Sequence, residues 1–254
     1  MDGLFLQDGY ALRFDWGVSG AERSQAGLAV VVDVLSFSTA VSIAVDKGMV
    51  VYPYRWADES AEAFARERGA SLAVDRLEAL RSGSIAPSLS PSALLTCEPI
   101  PRLVLPSPNG SSISEALRLR EIEVAIGCLR NASATAHHVQ NALEEGQTVT
   151  FIAAGERWGG DNTLRPCLED HLGAGAALAT LAAAGFGDRM SPEARAAALL
   201  FTAHAPALGQ TIRDCVSGKE LHARGFDSDV AAAVELDVSP HVPVLIEGAF
   251  ALND

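Results

Sequence analysis

The stretch Val30-Val31-Val32-Asp33-Val34-Leu35-Ser36-Phe37-Ser38-Thr39-Ala40 decides how this chain is read. An apolar, mostly β-branched run beginning at Leu28 has the length and composition of a buried strand, predicted over 28–34. Asp33 places one carboxylate at its carboxyl end. Ser36, Ser38 and Thr39 follow where a helical pattern over 38–47 begins, and Gly48 stops it. A strand feeding a helix through a short polar junction is the first half of a crossover, so the fold is expected to be α/β.

The same alternation runs through the rest of the chain. The pattern predicts strands over 49–54, 92–96, 102–106, 122–127 and 148–154, with 242–246 as the closing strand. It predicts helices over 57–68, 111–120, 131–145, 167–184, 192–204 and 227–235. Strands separated by helices imply a mostly parallel or mixed central sheet covered on both faces. No repeat or heptad breaks the pattern, so residues 1–254 are expected to form one domain. The long irregular stretches 82–91 and 156–166 read as loops that cap a site.

Bulk composition narrows the function. With 32 acidic against 19 basic residues the chain carries a net charge of −13, which argues against nucleic acid and against an anionic membrane surface. Its four cysteines are widely spaced, so neither a zinc motif nor a disulfide framework is expected. The first residues lack the basic and apolar regions of a signal peptide, and no apolar run reaches membrane-spanning length. A cytoplasmic protein is expected. Homo-oligomerisation stays open.

In α/β folds ligands gather where strands end and helices begin. Asp33 there can serve a hard cation, while the hydroxyls and free N–H groups of the following helix start can serve an anion. The alternative is structural: Ser38 or Thr39 caps the helix and Asp33 is hydrogen-bonded at the strand end. Ser107-Pro108-Asn109-Gly110-Ser111-Ser112-Ile113 forms a second junction, either a capped turn or a loop offering donors to a phosphate or sulfonate. Glu169-Asp170, in the first turns of a helix, suit the helix dipole; joined by Asp33 they would form an oxygen-rich magnesium site. Arg130 and Asn131 stand at a further strand-to-helix junction.

Five segments, "VVVDVLSFSTAVSIAVDKG", "PNGSS", "GCLRNASATA", "AAGE…LEDHLGAGA" and "SGKELHARGFDSDVAAAVELDVSPHVPVL", occur in one order from about Leu28 to the C-terminus. Together they resemble the 2-phosphosulfolactate phosphatase (ComB-like) family. The resemblance implies a three-layer α/β/α fold and a Mg²⁺-dependent phosphatase that converts phosphosulfolactate to sulfolactate on a route to coenzyme M. It implies Asp33, Glu169 and Asp170 as the catalytic and metal-site acids. Ser38, Thr39, Asn109, Gly110, Ser111 and Asn131 fall in motifs placed around the substrate anions, and Ser36 and Arg130 join them as candidates. The family pattern Asp-Val-Leu-Arg-Ala-Ser/Thr-Thr reads Asp33-Val34-Leu35-Ser36-Phe37-Ser38-Thr39 here, so Ser36 replaces an arginine. One hydroxyl cannot reproduce a charge-assisted bidentate contact. Arg130, Arg157 or Arg165 are candidates to supply the missing charge. Either water or Asp33 could attack phosphorus. The competing reading is a non-catalytic relative that binds a small anion or a protein partner.

Overall fold

The computed structural model describes residues 5–56, 58–74, 76 and 87–252. Its strands are β1 Leu12–Trp16, β2 Leu28–Val32, β3 Val50–Tyr54, β4 Ser71–Leu72, β5 Arg102–Pro106, β6 Glu123–Gly127, β7 Val149–Ala153, β8 Glu156–Arg157, β9 Leu164–Arg165, β10 Val244–Ile246 and β11 Ala249–Ala251. The α-helices are α1 Gly17–Arg23, α2 Phe37–Asp46, α3 Glu59–Arg68, α4 Pro91–Thr96, α5 Gly110–Arg118, α6 Ala132–Glu144, α7 Leu168–Leu181, α8 Pro192–His204, α9 Leu208–Asp214, α10 Val216–Ala223 and α11 Asp227–Ala233.

Nine strands form one mixed sheet in the order β1-β7-β2-β6-β10-β11-β3-β5-β4. β1, β7, β2 and β6 are mutually parallel, as are β3, β5 and β4. The antiparallel hairpin β10–β11 joins the two groups, pairing with β6 on one side and β3 on the other. Every residue of β2 is buried, and its side chains alternate between two cores. Leu28, Val30 and Val32 pack with residues of α6, α7 and α8, whereas Ala29 and Val31 pack with residues of α2 and α5. A strand needing apolar side chains on both faces is the signature of a sheet between two helical layers. The expected three-layer α/β/α architecture is therefore present.

Three antiparallel pairings separate β2 from β3, so the two parallel groups run in opposite senses. Sheet twist of about 20–25° per neighbour accumulates to more than about 100° over the steps from β2 to β5. The residues following β2 and those following β5 line one cleft.

Several elements differ from the sequence expectation. Residues 92–96, expected as a strand, are the helix α4, with Ser90 Oγ accepting the Ala93 N–H and Pro91 in the first turn. The same Ser-Pro start opens α8 at Ser191-Pro192, where a longer periodic pattern made it readable. The strand over 242–246 is not the last, because β11 follows it in the hairpin. β1, α1, α9 and α10 were not anticipated, and the expected loop 156–166 carries the small β8–β9 ladder. Of the expected loop over 82–91, positions 82–86 lie outside the described residues, as does Ala57 of the expected helix 57–68. Among the described residues no helix is long and apolar enough to cross a membrane. All four cysteines are free thiols.

Candidate active site

Asp33 sits where β2 leaves the sheet, and local hydrogen bonds hold it there. Its Oδ1 accepts the Phe37 N–H at 3.2 Å, while its own N–H donates to Ser38 Oγ at 2.9 Å. Ser38 Oγ in turn donates to the Val31 carbonyl at 3.1 Å, and Thr39 Oγ1 donates to the Val34 carbonyl at 2.8 Å. The hydroxyls of the opening motif thus shape the strand-to-helix junction. Ser38 and Thr39 are fully buried in that role.

Asp170, in the first turn of α7, staples two adjacent strand ends. Its Oδ1 accepts the Val34 N–H just beyond β2, and its Oδ2 accepts the Gly155 N–H just beyond β7, both at 2.8 Å. Gly155 has φ +64°, and a Cβ there would lie 2.8 Å from the Arg165 carbonyl oxygen. Glu156 follows immediately after that turn. Glu169, also buried, accepts a hydrogen bond from the Cys215 thiol at 3.2 Å.

These acids share one region. Burial raises the Asp33 pKa to about 7, with the charges of Glu156 and Glu169 adding to the shift. Burial also holds Asp170 well above the usual carboxylate range, reinforced by Glu169 and then by Asp33. Among the described residues none of the four carboxylates forms an ion pair with Lys, Arg or His. Like charges collected in a desolvated place favour protons or a cation. Carboxylate oxygens suit a hard divalent ion, and a thiol does not. Among the described residues the acids close enough to share an ion are Glu169 and Asp170, whose ligand atoms lie within 4.8 Å of one another together with the Cys167 sulfur; Asp33 and Glu156 stand outside that group. Burial and then the Glu169 charge push the Cys215 thiol up to about 12, and the Cys167 thiol rises for the same reasons. Both shifts favour the neutral thiol in the metal-free protein.

Asp33 and Glu156 open onto a cleft of about 300 Å³. Ser36, Asn109, Ser217, Arg76 and Arg224 also line it. Ser36 Oγ is buried without a hydrogen-bond partner, a hydroxyl left for whatever enters. The Asn109 amide donates to Glu156 Oε2 at 3.1 Å, which joins the β5–α5 junction to the acid cluster. Gly110 permits that junction, since a Cβ there would lie 2.2 Å from the Phe37 ring.

Other candidates lie elsewhere. Ser111 donates to the Leu105 carbonyl at 3.3 Å and does not line the cleft. Asn131 spends its whole amide on the fold, accepting from Cys128 N–H at 2.8 Å and donating to the Ile126 and His241 carbonyls. Arg130 pairs with Glu235 and donates to the Ala232 carbonyl at 3.1 Å. Arg157 donates to the Asn162 carbonyl, and Arg165 reaches Ser217 Oγ at 3.4 Å. Among the described residues the guanidinium groups that do line the cleft are Arg76, beside Asp229 at 3.5 Å, and Arg224, beside Glu220 at 2.6 Å. Glu156 was readable as an acid just past a strand end. Arg224 stands in the quoted segment SGKELHARGFD without having been singled out there, and Arg76 carried no local signal.

The family described as 2-phosphosulpholactate phosphatase matches residues 18–248, which include every acid of the cluster. The chain belongs to that family. A 2-phosphosulfolactate phosphatase from Methanothermobacter thermautotrophicus is 26% identical over 231 residues, covering 90% of this chain and 91% of the relative. The phosphatase family and the carboxylate cluster agree on the class of chemistry, hydrolysis of a phosphate ester.

Proposed function

We propose that this chain is a Mg²⁺-dependent phosphatase that hydrolyses 2-phosphosulfolactate, or a closely related phosphorylated small acid, to the alcohol and inorganic phosphate. The observation that carries the reading is the group of four acids, Asp33, Glu156, Glu169 and Asp170, none of which forms an ion pair among the described residues, with Asp33 and Glu156 opening onto a cleft. Family membership and the named relative support the substrate class.

Asp33, Glu169 and Asp170 would hold the ion, with Glu156 on the cleft side. When bound, the ion supplies charge neutralisation for the phosphate oxygens and lowers the cost of forming hydroxide from water. The chain's own groups do the rest. Arg76 and Arg224 offer positive charge to a dianionic substrate, and the Ser36 hydroxyl and Asn109 face the same space. They take the place of the arginine that Ser36 replaced, so charge is supplied from across the cleft. Water attacks phosphorus in line with the ester oxygen. Glu156 accepts a proton from the attacking water, and the ester oxygen leaves with a proton from solvent, which balances the step.

Release of inorganic phosphate from 2-phosphosulfolactate and a panel of small phosphorylated acids, with Mg²⁺ and with EDTA, tests the proposal. Turnover that needs Mg²⁺ and falls roughly a thousand-fold in Asp33→Asn is the expected result. Equal turnover in EDTA would remove the metal from the account. No turnover of any panel member by the folded protein, with retained binding of a phosphorylated acid, would favour a non-catalytic binder.

A further inference from the structure

A second cavity, of about 670 Å³, lies at the β3 end. It is bounded by Tyr54 and Trp56 at the end of β3, Phe64 and Arg68 of α3, Arg118 of α5, and the turn of the β10–β11 hairpin. Its walls share no residue with the carboxylate cleft. Ser111 faces this cavity, whereas Asn109, two residues earlier, faces the cleft. The volume falls within the usual range for small-molecule sites.

Its chemistry contrasts with that of the whole chain. In a protein of net charge −13, three arginines line it against two acids, Glu115 and Glu247. Arg118 is committed to Glu115 through two hydrogen bonds of 2.7 and 2.8 Å. The other two arginines stack on rings: Arg55 lies 4.5 Å from the centre of Trp56, and Arg68, which also pairs with the exposed Glu67 at 3.5 Å, lies 3.5 Å from that of Phe64. Among the described residues Arg55 forms no ion pair with a carboxylate. Trp56 remains 51% exposed, a large flat surface left to water beside two cations. Stacked guanidinium groups keep their N–H edges for an anion, while the rings offer flat apolar faces.

We propose that this cavity is a second ligand site, taking a nucleoside phosphate whose base lies on the aromatic walls and whose phosphate is held by Arg55 and Arg68. An acyclic phosphorylated acid would leave the exposed Trp56 surface unused, and a neutral aromatic compound would leave the arginines unused. The site is independent of the proposed reaction.

Calorimetric titration of the full-length chain with AMP, GMP, CMP and UMP, and with ribose 5-phosphate and inorganic phosphate, tests it. At least one nucleotide should bind about ten-fold or more tighter than either ringless phosphate. Arg55→Ala and Trp56→Ala, both at exposed positions where folding is insensitive, should each weaken that nucleotide about five-fold or more. Asp33→Asn, in the other cleft, should leave it unchanged. The proposal is overturned if no nucleotide binds, if inorganic phosphate binds equally well, or if Asp33→Asn abolishes binding while the cavity variants retain it.

Discussion

Asp33 carries two consequences at the scale of one residue. Its raised pKa means that between about pH 4 and pH 7 the folded chain keeps a proton the unfolded chain has lost. Stability of the metal-free protein therefore falls as pH rises through that window, and the burial penalty is complete above about 7. Asp170 shifts in the same direction. Thermal unfolding in EDTA should give a Tm several degrees higher near pH 5.5 than near pH 8. Asp33→Asn should narrow that gap and Mg²⁺ should raise the Tm near pH 8; an undiminished gap in the variant would place the titration elsewhere. Asp170 also holds the fold together, because each of its oxygens accepts a backbone N–H. Asp170→Ala leaves two buried donors unsatisfied and should cost about 2–5 kcal/mol in urea unfolding.

At the scale of the element, the junctions after β2 and β5 depend on each other. Phe37 opens α2, and its ring occupies the space a side chain at Gly110 would need, with a closest approach of 2.2 Å. Gly110→Ala must move either the ring or the start of α5, at a cost of about 1–3 kcal/mol. A smaller residue at position 37 should recover part of that loss, so the double variant Gly110→Ala/Phe37→Leu should unfold at higher urea than its sum of single effects predicts. Additive effects would separate the two junctions. Local pattern sufficed for α8 and β5, whose bounds match the sequence expectation. It failed for α4, where Ser90 and Pro91 start a helix of only six residues, too short for a helical period to show.

At the scale of the molecule, the C-terminal hairpin is what makes one sheet from two parallel groups. Phe250 of β11 is fully buried, meets the Phe37 ring at 6.1 Å between centroids, and pairs with Val51 in register. Phe250→Ala should cost about 3–5 kcal/mol. Because Phe37 also packs against Gly110, the variant should lower phosphatase activity in the folded fraction as well as stability. Unaltered activity per folded molecule would show that the hairpin supports the sheet without tuning the cleft.

Sequence by itself determined the layered α/β class, the position of Asp33 at a strand end and the helix-start placement of Glu169 and Asp170. Those features follow from side-chain period and from where carboxylates are stable along a single segment. Tertiary structure decided which polar groups were left for a ligand. Ser38, Thr39 and Asn131 turned inward because the junction backbone needed their hydrogen bonds, whereas Ser36 was left unpartnered. Glu156 joined the acids, and Arg76 and Arg224 supplied the cleft's positive charge in place of Arg130. No local pattern encodes these choices, since each depends on which distant segments the twisted sheet brings together and which partners they have already used.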